Sequence, residues 1–278
     1  MALVIAVVPV VWACGGDGVD SVIENGAGAG NSSGTSAGGD GPAANGSGAF
    51  NPTGASGGAD SSSGAGAGSQ NCDNMLVGRI RDFQSSHPDF ESVIVTDKGI
   101  VEEDIGSDQK PVYAGNPTTP STNGQAAFDQ WYRDTDGVNL PIPLSIPLTD
   151  AGGGIFTFDD SDFFPIDGQG FGDEGNVHNY HFTYEIHAEF TYEGGEVFTF
   201  TGDDDLFTFI NGKLAIDLGG VHGPQTATID LDQEADNLGI IVGGTYALDF
   251  FFAERHTSMS NFRIDTTISC FNEVPIPQ

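Results

Sequence analysis

Hydrophobic and polar residues alternate in Gly194–His222, where the pattern predicts three short strands: Val197–Thr201, Leu206–Ile210 and Leu214–Leu218. A period of two in aromatic and β-branched residues is typical of strands. Asn211-Gly212, between the second and third strands, predicts a tight hairpin because both central residues of that turn need positive φ.

The longest alternating stretch is His178–Glu193, with aromatic and aliphatic side chains on one face and polar side chains on the other. This pattern predicts a strand with one face on the core and one in water. His181, Glu185 and His187 share the polar face, so a metal site there is conceivable. Strand spacing with no further ligand is weak evidence for a metal, and ordinary surface residues are the favoured interpretation.

The remaining pattern predicts an all-β fold with one short helix. Gln125–Arg133 places Phe128, Trp131 and Tyr132 on one helical face, which favours core packing. Leu140–Leu148 contains three prolines, which confine it to an edge strand or an extended covering segment. Further strands are predicted at Met75–Phe83, Ile155–Phe158, Thr228–Leu231, Leu238–Val242, Thr245–Glu254 and Phe262–Cys270. Many short strands joined by glycine-rich turns indicate an antiparallel β-sandwich or barrel.

The turn between the first two strands of the central stretch contains three successive acids, Asp203, Asp204 and Asp205. Two unit charges about 4–5 Å apart repel by about 3–4 kcal/mol at an effective dielectric constant near 20. A hard divalent cation would turn that repulsion into binding, because calcium takes carboxylate oxygens in a flexible shell. The alternative is an acidic turn that is simply solvated.

The N-terminal part of the chain predicts export. Residues 1–14 form a short apolar run that is too short to span a bilayer and fits a signal peptide ending in a lipoprotein-like box at Cys14. The run has no Lys or Arg before it, and a chance cysteine is the alternative. Residues 15–71 are rich in Gly, Ala and Ser, which predicts a disordered tether. We therefore expect an extracellular or cell-surface protein, lipid-anchored at the outer membrane.

The charge balance narrows the class of partner. The 278 residues carry 40 acids against 8 basic residues, for a formal net charge of −32. This excess argues against nucleic acid and anionic lipid, whose recognition depends on Lys and Arg. Contact with a membrane is expected only through the lipid at Cys14, and a calcium-rich setting outside the cell suits the acidity.

Two cysteines bracket the part of the chain that is able to fold. Cys72 and Cys270 lie at the borders of a predicted domain spanning 72–270, which leaves 271–278 as a tail. In an exported protein such a pair predicts a disulfide between the first and last strands. Two free buried thiols are the alternative.

Catalytic motifs are absent from the sequence. It contains no P-loop, no GxSxG, no HExxH and no zinc-type cysteine spacing. His256 stands beside Glu254 and Arg255, but no nucleophile can be assigned to it. We therefore predict that the protein is not an enzyme. The absence of a motif does not argue against a glycosidase that uses two carboxylates, but nothing in the sequence supports one.

Six segments together resemble the fibro-slime domain: RDFQSSHPDFE, FDQWYRD, FFPIDGQGFG, HNYHFTYE, FTFTGDDDLFTFINGKLAIDLGGVHG and FFAERHTSMSNFRIDTT. They run from about Val77 to Cys270, nearly the whole predicted domain. This family is similar in turn to the protective-antigen-type (PA-fourteen) β-sandwich, a jelly-roll-like fold found in toxins, glycosidases and adhesins. The resemblance implies that fold here.

The resemblance also implies a ligand set. In lectin members of the sandwich family, two consecutive aspartates joined by a cis peptide hold a calcium ion that coordinates sugar hydroxyls, and an asparagine from a later loop assists. On this sequence the pair corresponds to Asp203 and Asp204, and the asparagine to Asn261. The third acid leaves open which two of the three bind. The weaker candidates for the rim are Asp205, Asp217, His222 and His256.

The function that follows from the resemblance is calcium-dependent binding of an extracellular polysaccharide or cell-surface glycan. The first alternative is a structural matrix protein of the same fold that binds no glycan. A second is an enzyme acting on polysaccharide. The sequence does not distinguish them.

Overall fold

The computed structural model describes Cys72 and residues 74–277. The predicted signal peptide, its Cys14 and the predicted tether at 15–71 lie outside the described residues. The helices are α1 (Gln125–Phe128) and α2 (Leu231–Leu238), and neither is long enough to cross a membrane. The strands are β1 (Met75–Phe83), β2 (Val95–Thr96), β3 (Asn139–Pro147), β4 (Thr149–Gly152), β5 (Ile155–Asp160), β6 (Phe182–Thr191), β7 (Val197–Gly202), β8 (Asp205–Ile210), β9 (Lys213–Leu218), β10 (Gly220–Val221), β11 (Gln225–Asp230), β12 (Thr245–Glu254), β13 (Phe262–Thr266) and β14 (Asn272–Glu273).

Two antiparallel sheets form a sandwich, which confirms the predicted fold class. The first sheet has the order β3-β1-β6-β12-β8-β9, with β14 also paired to β6, and the second has the order β11-β7-β13-β5-β4. Side chains from both sheets, among them Ile80, Phe198 and Ile264, form one buried cluster between them. The proline-rich β3 lies at the edge of the first sheet, as predicted.

The prediction that one face of β6 lies in water is wrong. Nine-residue β1 and ten-residue β12 flank β6, and Thr183, Glu185 and His187 on its polar face are all buried. The segment between β1 and β3 supplies Phe128, Trp131 and Tyr132, which pack with Phe207, Phe209 and Phe251 of β8 and β12. A second apolar cluster therefore covers the outer face of this sheet.

The central stretch folds differently from the predicted three-stranded unit. The hairpin at Asn211-Gly212 is confirmed, with φ of 51° and 75° at its two central residues. However, β7 belongs to the second sheet and β8 to the first. The acidic segment between them is therefore a crossover between sheets and not a hairpin tip.

The predicted strand at Leu238–Val242 is also wrong, because Leu238 ends the helix α2 (Leu231–Leu238) and residues 239–242 form the turn that follows it. The Asp230 carboxylate accepts hydrogen bonds from the backbone N–H groups of Asp232 and Gln233, which caps the first turn. Gly239 ends the helix in the left-handed conformation, with φ of 66°. The predicted helix at Gln125–Arg133 forms only its first part, α1, and continues as turns.

The predicted disulfide between Cys72 and Cys270 is confirmed, with their Cα atoms 5.0 Å apart. It joins the segment before β1 to the segment after β13. Pairing continues beyond Cys270, because β14 adds two residues to the edge of β6.

Candidate functional site

The acidic crossover lies at one end of the sandwich, beside a second crossover. The register pairs Ala253 of β12 with Asp205 of β8, and Phe262 of β13 with Gly202 of β7. Residues 255–261, which connect β12 to β13, therefore pass from sheet to sheet next to Asp203 and Asp204. The topology brings the two aspartates and Asn261 together, as the resemblance implied.

Asp203 and Asp204 are buried, with 3% and 5% of their surface exposed, and neutral groups hold them. Asn261 donates to Asp203 through both its backbone N–H and its side-chain Nδ2, the latter at 2.9 Å. Asp204 accepts from the backbone N–H of His222 at 3.1 Å and of Arg255 at 2.8 Å. Within the described residues, neither carboxylate is hydrogen-bonded to a basic side chain.

The cis peptide that the resemblance implies between these aspartates is not found. The cis peptide bond among the described residues is Asn116–Pro117. The turn is made instead by Asp204 itself, which has φ of 56°. Left-handed conformations are uncommon outside glycine, and aspartate is among the residues that tolerate them best.

Asp205 does not line this site, although it follows Asp204 in sequence. It is fully buried and forms an ion pair of 2.5 Å with the Arg255 Nε, while the Gly220 N–H donates to its other oxygen. Arg255 also donates to the carbonyl oxygens of Asp89 and Ser121 and lies 4.6 Å above the Trp131 ring. The third acid is therefore a structural partner of Arg255, which leaves Asp203 and Asp204 as the accessible pair.

A cavity of about 190 Å³ opens over the pair. Its polar wall is formed by Asp203, Asp204, His222 and His256, and its apolar wall includes Ile94 and Met259. Both ring nitrogens of His222 face backbone carbonyl oxygens, at 3.0 and 3.2 Å, so this ring has no free nitrogen for a ligand. His256 is partly exposed at the rim, with Nδ1 2.9 Å from the carbonyl oxygen of Thr257.

Sequence reasoning missed Glu254 as a member of this site. Its side chain is fully buried, and its Oε2 atom has no hydrogen-bond partner in the part of the chain that the structure describes. The Ser260 hydroxyl lies close enough to lower the pKa of Glu254, although the two groups do not meet the geometry of a hydrogen bond. The only sequence signal was an acid at the end of an apolar strand, directly before Arg255.

Burial dominates the electrostatics of the three carboxyl groups. Burial, followed by the charge of Asp205, raises the pKa of Asp204 to about 8, against the opposing charge of Arg255. Burial also raises the pKa of Asp203. The pKa of Glu254 is well above its usual range because of burial and then the charges of Asp204 and Asp203. All three ionised forms are therefore destabilised in the protein alone.

The donor set suits a hard cation. Asp203 and Asp204 offer carboxylate oxygens, and Asn261 offers an amide oxygen, which are the ligands that calcium prefers. In the described part of the chain, no three His, Cys, Asp or Glu side chains converge as a ready-made metal site. A cation here would therefore rest on two carboxylates supplemented by neutral oxygens.

The other candidates lie elsewhere. Asp217 accepts from the backbone N–H groups of Gly99 and Gly219 and does not line the cavity. Of the three residues of the conceivable metal site, Glu185 and His187 of β6 lie close together, with 3.8 Å between the His187 Nε2 and a Glu185 carboxylate oxygen, and all three have other partners. His181 lies against Glu91 and Glu174, Glu185 pairs with Arg81 and Lys110, and His187 pairs with Asp249.

Comparison with known families gives a match to the PA14 domain over residues 169–271. This stretch begins before β6 and contains Asp203, Asp204, Glu254 and Asn261. The match agrees with the protective-antigen-type sandwich that the resemblance implied. The narrower resemblance to the fibro-slime domain stays a prediction.

Among curated proteins, the chain is similar to three proteins of Dictyostelium discoideum. Protein psiD is 40% identical over 205 residues, covering 64% of this chain and 40% of psiD. Protein psiR is 40% identical over 203 residues, covering 66% of this chain and 20% of psiR. Protein psiC is 38% identical over 204 residues, covering 66% of this chain and 38% of psiC. The aligned part therefore spans well under half the length of these relatives.

Among solved structures, the chain is similar to a PA14 sugar-binding domain from an RTX adhesin, with a TM-score of 0.32 and 8% identity over 72% of this chain and 94% of that one. It is also similar to the epithelial adhesin 6 A domain from Candida glabrata in complex with Galb1-3GlcNAc. There the TM-score is 0.30 and the identity 13%, over 75% of this chain and 90% of that one. Likeness at this level is too weak to transfer a function.

Proposed function

We propose that this protein is a calcium-dependent carbohydrate-binding module that acts in adhesion outside the cell. One observation carries the proposal: Asp203 and Asp204 are desolvated beneath an open cavity, and within residues 74–277 no basic side chain is hydrogen-bonded to either. Buried charge is costly unless it is paired. A bound divalent cation would supply the missing positive charge at the surface where a ligand can reach it.

Three residues would hold the ion. Asp203 and Asp204 would provide charged oxygens, and the Asn261 amide, whose nitrogen already donates to Asp203, would turn its oxygen toward the cation. Backbone donors from His222 and Arg255 fix Asp204 in place. The chain therefore orients its ligands before the ion arrives, which limits the entropy lost on binding.

A carbohydrate fits the cavity around such an ion. Calcium also accepts neutral oxygen ligands, so sugar hydroxyls can complete its shell. The rim offers apolar contact for the C–H face of a sugar ring, because Ile94 is 72% exposed and Met259 is 44% exposed. His256 adds a polar group at the same rim.

Display outside the cell is supported by the disulfide and by the charge. Disulfides such as Cys72–Cys270 persist in oxidising compartments, and the net charge of −32 suits a setting rich in divalent cations. In this proposal a lipid attached to Cys14 anchors the protein to the outer membrane, and the tether at 15–71 connects that anchor to the folded domain. Both parts are supported by the sequence alone.

Calorimetric titration of calcium into the full chain tests the ion site. The double variant Asp203→Asn/Asp204→Asn should lose calcium binding, whereas Asp159→Asn, at an exposed ion pair with Arg263, should keep it. Equal affinity in the wild type and the double variant would contradict the proposal.

A glycan array run with calcium and with chelator tests the ligand. Saturable binding of one glycan that disappears with chelator would support the module. Calcium binding without any glycan would favour the structural matrix protein instead.

A further inference from the structure

The wall behind Asp204 contains a carboxylate that the proposed ion site does not use. Glu254 ends β12 and is fully buried, and its Oε2 atom has no hydrogen-bond partner within 74–277. Its Oε1 atom accepts one long bond, of 3.5 Å, from the backbone N–H of His256, and the Ser260 hydroxyl lies close to the carboxyl group. A buried carboxylate so poorly satisfied is costly, which calls for a physical reason for its presence.

Strand register places this carboxylate beside the proposed ligands. Ala253 of β12 and Asp205 of β8 are the last pair at this end of the ladder, and the Asp204 carboxylate accepts a hydrogen bond from the backbone N–H of Arg255 at 2.8 Å, which places it next to Glu254. Like charges close together in a protein interior repel strongly, because solvent screens them little. Glu254 and Asp204 should therefore repel each other unless a positive charge is nearby.

In the described part of the chain, no basic side chain pairs with Glu254, and the charge of Arg255 lowers the pKa of Asp204 without outweighing burial. Arg255 is the nearest basic residue in sequence, but its guanidinium is held by Asp205, Asp89 and Ser121. Within the described residues, Glu254 forms no salt bridge. It also does not line the cavity, so it reaches a bound ion through its electric field and not through a direct bond.

We propose that Glu254 is a positioning residue whose buried negative charge strengthens the hold of Asp203 and Asp204 on a cation and favours cations of higher charge. The inference rests on the proposed function, because it requires a cation at Asp203 and Asp204. An interior of low dielectric constant makes the effect of a third charge large, since solvent screens it little.

Titration of calcium and of terbium into the full chain tests this role. Glu254→Gln should weaken calcium binding by about tenfold or more, because the number of charges near the ion sets its affinity. The logarithm of the fold-change in affinity should be about 1.5 times as large for trivalent terbium as for divalent calcium, since Coulomb energy scales with ionic charge. Glu254→Asp keeps the charge and should retain most of the affinity.

Thermal unfolding in chelator separates this effect from damage to the fold. Burial holds the pKa of Glu254 well above its usual range, so the carboxyl group is protonated without calcium, and Glu254→Gln should unfold at about the same temperature as the wild type. The matched control is Glu185→Gln, which also neutralises a fully buried carboxylate of the same sheet, but one paired with Arg81 and Lys110. That control should lose thermal stability and keep the wild-type affinity for calcium.

Two results would overturn the inference while leaving the proposed function intact. One is equal calcium affinity in the wild type and Glu254→Gln. The other is an equal fold-loss for calcium and terbium, which would indicate distortion of the site and not loss of charge. Absence of calcium binding in the wild type would instead overturn the proposed function, and with it the premise of this inference.

Discussion

Buried carboxylates at two places in the same sheet differ in whether a basic side chain balances their charge. Glu185, in the middle of β6, is fully buried and pairs with Arg81 Nη1 at 2.9 Å and Lys110 Nζ at 2.6 Å. Asp204 and Glu254, at the end of the sheet, are buried to a similar degree and pair with no basic side chain in the described part of the chain.

The acid–base behaviour reflects this difference. Burial by itself would raise the pKa of Glu185, but the nearby His187 ring and the charges of Arg81 and Lys110 outweigh it, so the pKa is lowered. For Asp204, burial prevails over the charge of Arg255 and raises the pKa to about 8. The charge of Glu185 is balanced by basic side chains of the chain itself, whereas Asp204 is neutralised by a proton or, under the proposed function, balanced by a bound cation. On that proposal, the difference distinguishes a structural charge cluster from a binding site.

The largest effect should come from the paired group. Glu185→Gln leaves Arg81 and Lys110 buried without their carboxylate, which should lower the free energy of unfolding by about 3–5 kcal/mol. Denaturant unfolding measures it, and the loss should be the same in calcium and in chelator. Glu189→Gln, at an exposed position of the same strand, is the control. A loss that depends on calcium would show that the two groups are not independent.

The second effect is a dependence of stability on pH that comes from the unpaired carboxyl groups of Asp204 and Glu254. A folded-state pKa of about 8 for Asp204, against an ordinary 3.8, means that the folded state binds more protons than the unfolded state between these values. Stability of the calcium-free protein should therefore fall as pH rises from about 4 to 8, by at most about 1.4 kcal/mol per pH unit for each such group. The raised pKa of Glu254 acts in the same direction.

Asp204→Asn isolates this contribution, because asparagine does not titrate. The slope of unfolding free energy against pH in chelator should become shallower in the variant. His187, whose pKa is also raised, contributes a decline of the same sign that the variant leaves in place. Calcium should reverse the trend in the wild type, since ion binding requires the ionised carboxylates. An unchanged slope in Asp204→Asn would place the proton uptake elsewhere.

Much of the fold could be predicted because it depends on local pattern. The alternation in β1, β7, β8, β9 and β12 and the turn at Asn211-Gly212 were sufficient to place those elements. The covered outer face of β6 could not be predicted, because the residues that bury it come from a distant segment containing Trp131 and Tyr132. The helix α2 was missed because its start depends on one side-chain cap, at Asp230.

The site could be predicted only in part, for a similar reason. Three consecutive acids identified the segment, but their sequence does not say which of them face the cavity. Asp205 faces away from the cavity because it pairs with Arg255, which lies 50 residues away in sequence. Glu254 joins the site only through the register of β12 against β8, which no single segment encodes.

The smallest effect should come from an ion pair outside both groups. Lys213 pairs with Asp104 on the surface, where their side chains are 49% and 70% exposed. Lys213→Ala should change the free energy of unfolding by less than about 1 kcal/mol, because water solvates both charges whether or not they are paired. Denaturant unfolding at low and high salt measures it, and calcium affinity should not change. A loss as large as that of Glu185→Gln would mean that charge pairing itself, and not burial, governs stability in this protein. The contrast between the two buried groups would then need a different explanation.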